Sequence, residues 1–110
     1  MIDHKVTIRD RIVSTDSREI VQDSNEADRI ILDLDSDWDG LDEVYIVLGK
    51  GDEKLVAPYD PEDLPTFPAE LTGKLGPLAF SVVGMKGETI QITRRADRLF
   101  RIVPRGDVIE

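Results

Sequence analysis

Aspartates alternate with other residues on both sides of the only tryptophan. The segment Asp35-Ser36-Asp37-Trp38-Asp39-Gly40 matches the start of a D-x-D-x-D-G calcium loop, in which alternating carboxylates converge on one hard cation and the glycine permits a sharp turn. The complete loop also needs a bidentate glutamate at its twelfth position, where this sequence has Ile46. Two interpretations stay open: a calcium site held by Asp35, Asp37 and Asp39, or an acidic strand end whose side chains lie in solvent. We favour the second and expect no bound metal or other cofactor.

The residue types that serve enzymes as acids, bases and nucleophiles are present without the spacing that catalysis needs. His4 is the only histidine and lies near the N-terminus, so we expect it on the surface. No serine has a Gly-x-Ser-x-Gly context, and the acidic loop at residues 60–63 is unremarkable in a chain with 23 acids. The absence of cysteine excludes disulfides, thiolate metal sites and cysteine catalysis. We therefore predict that the protein is not an enzyme.

Charge and hydropathy argue against two classes of partner. The 110 residues include 23 acids and 14 lysines and arginines, for a net charge of −9, so we expect no nucleic-acid partner. The basic stretch that ends the chain contains only one aromatic residue, Phe100, which is too few for base stacking. No apolar run approaches the roughly 20 residues that span a bilayer, and the N-terminus lacks the apolar core of a secretory signal. We therefore expect no membrane partner.

The charge is unevenly distributed along the chain. Residues 1–40 carry 11 acids and 5 bases, residues 41–70 carry 8 and 2, and residues 71–110 carry 4 and 7. The net charges of the three segments are therefore −6, −6 and +3. Neighbouring copies of the chain could pair an acidic face with a basic face, or the strands could interleave and mix the charges on one surface. Both interpretations stay open, and we favour the second.

Short strand-like stretches separated by turn residues dominate the sequence. No window of helical length shows a 3.6-residue apolar period. Glycines predict hairpin turns at residues 49–52 and 85–87, because glycine supplies the positive φ that such turns need. Alternating or continuous apolar residues predict strands at residues 5–9, 11–13, 19–21, 29–34, 43–48, 53–57, 78–84, 88–93 and 97–103.

Prolines at positions 58, 61, 65 and 68 lie between the sixth and seventh predicted strands. Each removes a backbone donor, which excludes a central strand and predicts one long irregular loop. The segment Pro68-Ala69-Glu70-Leu71 predicts a single helical turn with proline at its start. Trp38 follows a predicted strand, where its indole would close one end of the core and its N–H would need a partner.

Together these patterns predict an all-β fold. We expect a single domain over residues 1–110 with about seven to nine short antiparallel strands and one proline-rich loop, either an immunoglobulin-like β-sandwich or a small barrel. The length suits one hydrophobic core and leaves no room for a second.

Segments spread over nearly the whole chain resemble a known family: the immunoglobulin-like N-terminal domain of bacteriophage upper-baseplate and head-fibre structural proteins. Phe67-Pro68-Ala69-Glu70-Leu71 is similar to the Ile-Pro-x-x-Leu turn of that family, and residues 76–84 are similar to its Gly-x-Leu-x-Val-x-Val-x-Gly strand. The other matching segments are residues 6–12, 20–21, 33–40, 44–47 and 92–93. The resemblance marks Trp38, Gly40, Phe80 and Gly84 as residues that define the fold.

The resemblance implies a virion structural protein, assembled in the cytoplasm of a bacterial host. Its partners would be other virion proteins, either the major capsid protein or tail and baseplate proteins, and it would form a trimer or hexamer on the particle. Family members that anchor fibres continue into a shaft or receptor-binding domain, whereas this chain ends at Glu110. We therefore expect a small capsid decoration or accessory head protein, with a small tail or baseplate component or a fibre-anchoring domain as the first alternative.

A module that binds a host protein or a glycan is the alternative from a different functional class. Glycan binding would need an exposed aromatic patch. The chain has six aromatic residues, and we expect Trp38, Phe80 and Phe100 in the core.

Overall fold

The structure is a computed structural model that describes residues 2–24 and 27–104. No helix in these residues is long and apolar enough to cross a membrane. They form eight strands, a short helix and a 3-10 turn. The elements are β1 (Ile2–Arg9), β2 (Ile12–Thr15), β3 (Glu19–Val21), β4 (Asp28–Leu34), the 3-10 turn Ser36–Trp38, β5 (Glu43–Lys50), β6 (Glu53–Pro58), α1 (Ala69–Thr72), β7 (Gly76–Lys86) and β8 (Thr89–Val103).

The strands form two sheets that pack together around one core. The smaller sheet has the order β2-β1-β4, and the larger has the order β3-β8-β7-β5-β6. Alternation of apolar residues directs Val6 and Ile8 of β1, and Phe80 and Val82 of β7, into the core, where all four are buried. The predicted all-β sandwich is confirmed.

Two strand pairs are parallel, so the prediction of antiparallel strands is wrong for them. β1 pairs with β4 in parallel, with Ile2 opposite Asp28 and Ile8 opposite Leu34. β3 pairs in parallel with the end of β8. β1 and β4 are parallel because β3, which lies between β2 and β4 in the chain, belongs to the larger sheet. When the chain returns to the smaller sheet as β4, it runs in the same direction as β1. Side-chain periodicity determines which face a residue occupies, but it carries no information on strand direction.

The last two predicted strands, residues 88–93 and 97–103, form the single strand β8. The residues between Ala96 and Phe100 oppose only Ala79 of β7. Such a bulge bends a strand without ending it. The polar residues at this position therefore mark an irregularity in a continuous ladder rather than a strand break.

The proline-rich loop lies along the outer edge of β4. The Pro65 carbonyl accepts a hydrogen bond from the Ile30 N–H at 2.9 Å, and the Tyr59 hydroxyl accepts one from the Leu32 N–H at 3.1 Å. The loop thereby satisfies backbone donors that an edge strand would otherwise leave open. The predicted helical turn follows as α1, with Pro68 immediately before it.

The residues marked by the family resemblance lie at turns and in tight packing. Trp38 and Phe80 are buried, and Gly40 has a φ of +78° in the turn before β5. A Cβ atom on Gly84 would lie 2.7 Å from Ile92 Cγ2 and 3.0 Å from Trp38 Cζ3, so only glycine fits beneath the indole. The buried Trp38 Nε1 has no hydrogen-bond partner among the described residues, in contrast to the expectation from the sequence.

Candidate functional site

The three aspartates of the calcium hypothesis are not brought together. Asp35 accepts hydrogen bonds from the backbone N–H of Asp37 at 3.2 Å and of Asp10 at 3.0 Å, so it caps the 3-10 turn and holds the β1–β2 turn. Asp37 and Asp39 are exposed. Within residues 2–24 and 27–104, no group of three or more His, Asp or Glu side chains has a geometry that could hold a metal ion. The geometry therefore favours the acidic strand end over the calcium site.

His4 is fully buried, so the prediction of a surface histidine is wrong. Its Nε2 lies 2.7 Å from Asp28 Oδ1 and its Nδ1 lies 2.6 Å from the Ser17 carbonyl oxygen. Because a carbonyl oxygen can only accept a hydrogen bond, Nδ1 carries a proton and donates a hydrogen bond to the Ser17 carbonyl oxygen. The hydroxyl of Ser24 lies 2.8 Å from the second carboxylate oxygen of Asp28. The reason for the difference is that β1 is the central strand of its sheet and holds the N-terminus in the fold.

The burial of His4 determines what its imidazole can do. The ring makes edge contacts with Phe67 and Phe100, each at a centroid distance of 5.7 Å. Both of its nitrogens are already engaged, and the side chain has no exposed surface. A histidine beside a carboxylate would be a plausible general base in a cleft. Here the pair instead joins β1 to β4 inside the core.

The larger sheet has a free edge along most of β8. β3 covers only the end of this strand, where Glu19 pairs with Arg101 and Val21 with Val103. Among the described residues no strand pairs with the outer side of β8 from Thr89 to Arg98, and at the end of this stretch the Arg18 guanidinium donates to the Arg98 carbonyl at 3.2 Å. The Thr93 carbonyl accepts a hydrogen bond from the Arg94 guanidinium at 2.8 Å instead. A strand edge of this length is a template for pairing with another chain.

The opposite edge of the same sheet is formed by β6. Within the described part of the chain this strand pairs only with β5. Alternation in the β5–β6 hairpin directs the backbone N–H groups of Lys54 and Val56 outward, and Pro58 has no N–H to offer at the next outward position. β6 is therefore a second, shorter free edge.

The two edges differ in charge. From Lys86 to Arg98, the hairpin that contains the β8 edge has four bases and two acids. From Asp52 to Asp63, the segment that contains β6 has five acids and one base. The nearby ammonium group of Lys50 donates to the carbonyls of Leu75 and Pro77, and burial, with a smaller contribution from the charge of Lys74, lowers the pKa of Lys50.

The aromatic residues are used mainly in the core. Trp38 and the three phenylalanines are buried, and both tyrosines are half-buried. Phe67 and Phe100 pack edge to face at a centroid distance of 5.1 Å. The exposed aromatic patch that glycan stacking would use is therefore not found in the described residues.

No family model, curated protein or solved structure matches this chain.

Proposed function

We propose that this protein is a bacteriophage virion structural protein that acts by packing against other virion proteins. In the form we favour, it is a small decoration or accessory protein on the exterior of the capsid. A position in the tail or baseplate is the alternative within the same role. The observation that carries the proposal is the free, basic edge of β8, which offers backbone groups and side chains to a neighbouring protein.

The internal packing supports a role that depends on a fixed shape. The His4–Asp28 pair ties β1 to β4, and the proline-rich loop covers the outer edge of β4. The loop covers the β4 edge of the smaller sheet, whose other edge is β2. In the larger sheet, β6 and most of β8 have an outer side that pairs with no other strand of the described residues. A sandwich of this kind presents sheet edges at defined positions, as a protein that packs between neighbours on a particle requires.

The test is the copy number of the protein in purified particles of the phage or prophage that encodes it. Peptides of this chain are quantified by mass spectrometry against peptides of the major capsid protein. About one copy per capsid subunit, or one per three, supports capsid decoration. A few copies per particle support the tail or baseplate position. Absence from purified particles would overturn the proposal.

A further inference from the structure

We propose that the partner of the β8 edge is a second copy of this chain, which binds through its β6 edge. The inference rests on the proposed structural role and names a partner within it. In such a pair, the outer side of β8 in one copy lies against the outer side of β6 in the next. The five-stranded sheets of the two copies then continue into one another through backbone hydrogen bonds.

Charge complementarity selects this pairing over the two symmetric ones. The β8 hairpin from Lys86 to Arg98 has a net charge of +2. β6 itself is neutral, but acids flank it on both sides, so the segment from Asp52 to Asp63 has a net charge of −4. Pairing β8 with β8 would bring the arginines of two copies together, and pairing β6 with β6 would bring the acids together. Like charges that face each other across strands are destabilising. The charges therefore favour the pairing of β8 in one copy with β6 in the next.

Each edge also carries an apolar side chain that the isolated chain leaves in solvent. Val56 on β6 and Ile90 on β8 are each 61% exposed. Both edges also carry outward backbone N–H groups that pair with no other strand of the described residues, at Lys54 and Val56 on β6 and at Thr93 on β8. An edge-to-edge contact would pair these groups and cover apolar surface on both sides.

A pairing between unlike edges has a consequence for assembly. Because each copy keeps one edge free after binding, further copies add in the same sense. The series closes into a ring if the rotation between neighbours permits, and otherwise grows as a filament. The contact spans only about six residues of β6, so we expect weak association of the isolated chain, which becomes strong when many copies are held side by side.

The experiment uses two pairs of variants of the full chain, and each variant has one edge blocked. Thr93→Pro removes an outward N–H from β8, and Val56→Pro removes one from β6, while the bonds to β7 and β5 are kept. Thr93→Glu and Val56→Lys are the second pair of variants, since they add repulsive charge at exposed positions without altering the backbone. Thermal unfolding of every variant confirms that it folds.

Sedimentation velocity over a wide concentration range gives the association of each sample. We expect the unmodified chain to associate, increasingly so at low salt, and each blocked variant alone to lose at least about tenfold in association constant. An equimolar mixture of a β8-blocked and a β6-blocked variant should form a heterodimer and nothing larger, because each partner supplies the edge that the other lacks.

Three outcomes would overturn the inference. The unmodified chain could stay monomeric up to millimolar concentration. One blocked variant could still self-associate as well as the unmodified chain, which would indicate pairing of like edges. The mixture could contain no heterodimer. The copy number in virions is measured independently of these three results. It tests the structural role, so a failure of the β8–β6 pairing can be distinguished from a failure of that role.

Discussion

Gly84→Ala is expected to destabilise the protein because the added methyl group has no space. Gly84 lies in β7 beneath Trp38, and a Cβ atom there would meet Leu41, Ile92 and Trp38 at once. The contact with Leu41 Cδ1 is the closest of the three. Ile92 is β-branched and its χ1 is stiff, and the indole is a rigid ring, so two of the three neighbours cannot move aside cheaply.

The magnitude follows from two opposing effects. Replacing glycine by alanine in a compatible conformation stabilises a protein by about 0.4–1 kcal/mol, because it lowers the conformational entropy of the unfolded chain. Overpacking a filled core by one methyl group costs about 1–3 kcal/mol, and here the distances of 2.7 Å to Ile92 Cγ2 and 3.0 Å to Trp38 Cζ3 place the cost towards the upper end. We therefore expect a net loss of about 1–2.6 kcal/mol, and each kcal/mol lost lowers Tm by roughly 4–8 °C in a domain of this size.

Gly49→Ala is the matched control in the neighbouring strand β5. A Cβ atom there would lie 3.9 Å from its nearest neighbours, Ala79 Cβ and the Glu53 carbonyl oxygen, which is ordinary van der Waals contact. Its φ is outside the left-handed region, so we expect unchanged or slightly raised stability. Urea unfolding of both variants, followed by tryptophan fluorescence, gives the two free energies on the same scale.

Removal of the closest neighbour tests the cause directly. Leu41→Ala destabilises by itself, but it leaves space for the methyl group of Gly84→Ala. The double variant should therefore lose at least about 0.5 kcal/mol less than the sum of the two single losses. Equal stabilities of Gly84→Ala and Gly49→Ala, or strict additivity with Leu41→Ala, would refute the packing argument.

Three further substitutions test the polar contacts. His4→Ala leaves the buried Asp28 carboxylate without its imidazole partner, and we expect it to lower the free energy of unfolding by about 3–5 kcal/mol in denaturant titration; a loss below 1 kcal/mol would contradict the burial. Asp35→Ala removes the acceptor of two backbone N–H groups and should lower the free energy of unfolding by about 1–2 kcal/mol. Added calcium should change the Tm of neither the unmodified chain nor this variant. The hydrogen bond from Arg29 lowers the pKa of Asp3 in the folded protein below its usual value of 3.8. The Asp3–Arg29 pair therefore stabilises the fold fully above pH 3.8, and this stabilisation is lost as the pH falls through the lowered pKa of the folded state. Asp3→Asn should therefore flatten the acid limb of stability measured against pH, and an unchanged limb would show that the pair contributes nothing.

Periodicity was sufficient to predict the class of fold and the positions of most strands. The alternation at the start of β1 and the glycine turn between β5 and β6 are local features, and local features determine which residues pair across a hairpin. The parallel pairing of β1 with β4 depends on where the chain crosses between sheets. That crossing is a property of the whole topology, and no short window contains it.

The role of His4 was predictable from one further step along the same pattern. Val6 and Ile8 point into the core, and the alternation that predicts this also places His4 on their side of β1. Its position near the terminus suggested exposure, but position in the sequence does not determine burial when a strand is paired on both sides. Its partner Asp28 is 24 residues away, and no spacing rule connects the two.

Several polar side chains of the sandwich bind one another or the backbone inside the fold, while sheet edges keep backbone groups that pair with no other strand of the described residues. His4 and Asp28 satisfy each other inside the core, Asp35 satisfies two turns, and the Lys50 ammonium group satisfies two carbonyls beside the β6 hairpin. In the larger sheet, the outer sides of β6 and of most of β8 pair with no other strand of the described residues, and the segments that contain them have opposite net charge. An edge recognises another edge through hydrogen bonds that any backbone can make, so the charged side chains beside it must supply the selectivity. In the proposed pairing of β8 with β6, the distribution of charge along the chain is therefore what determines which edges bind each other.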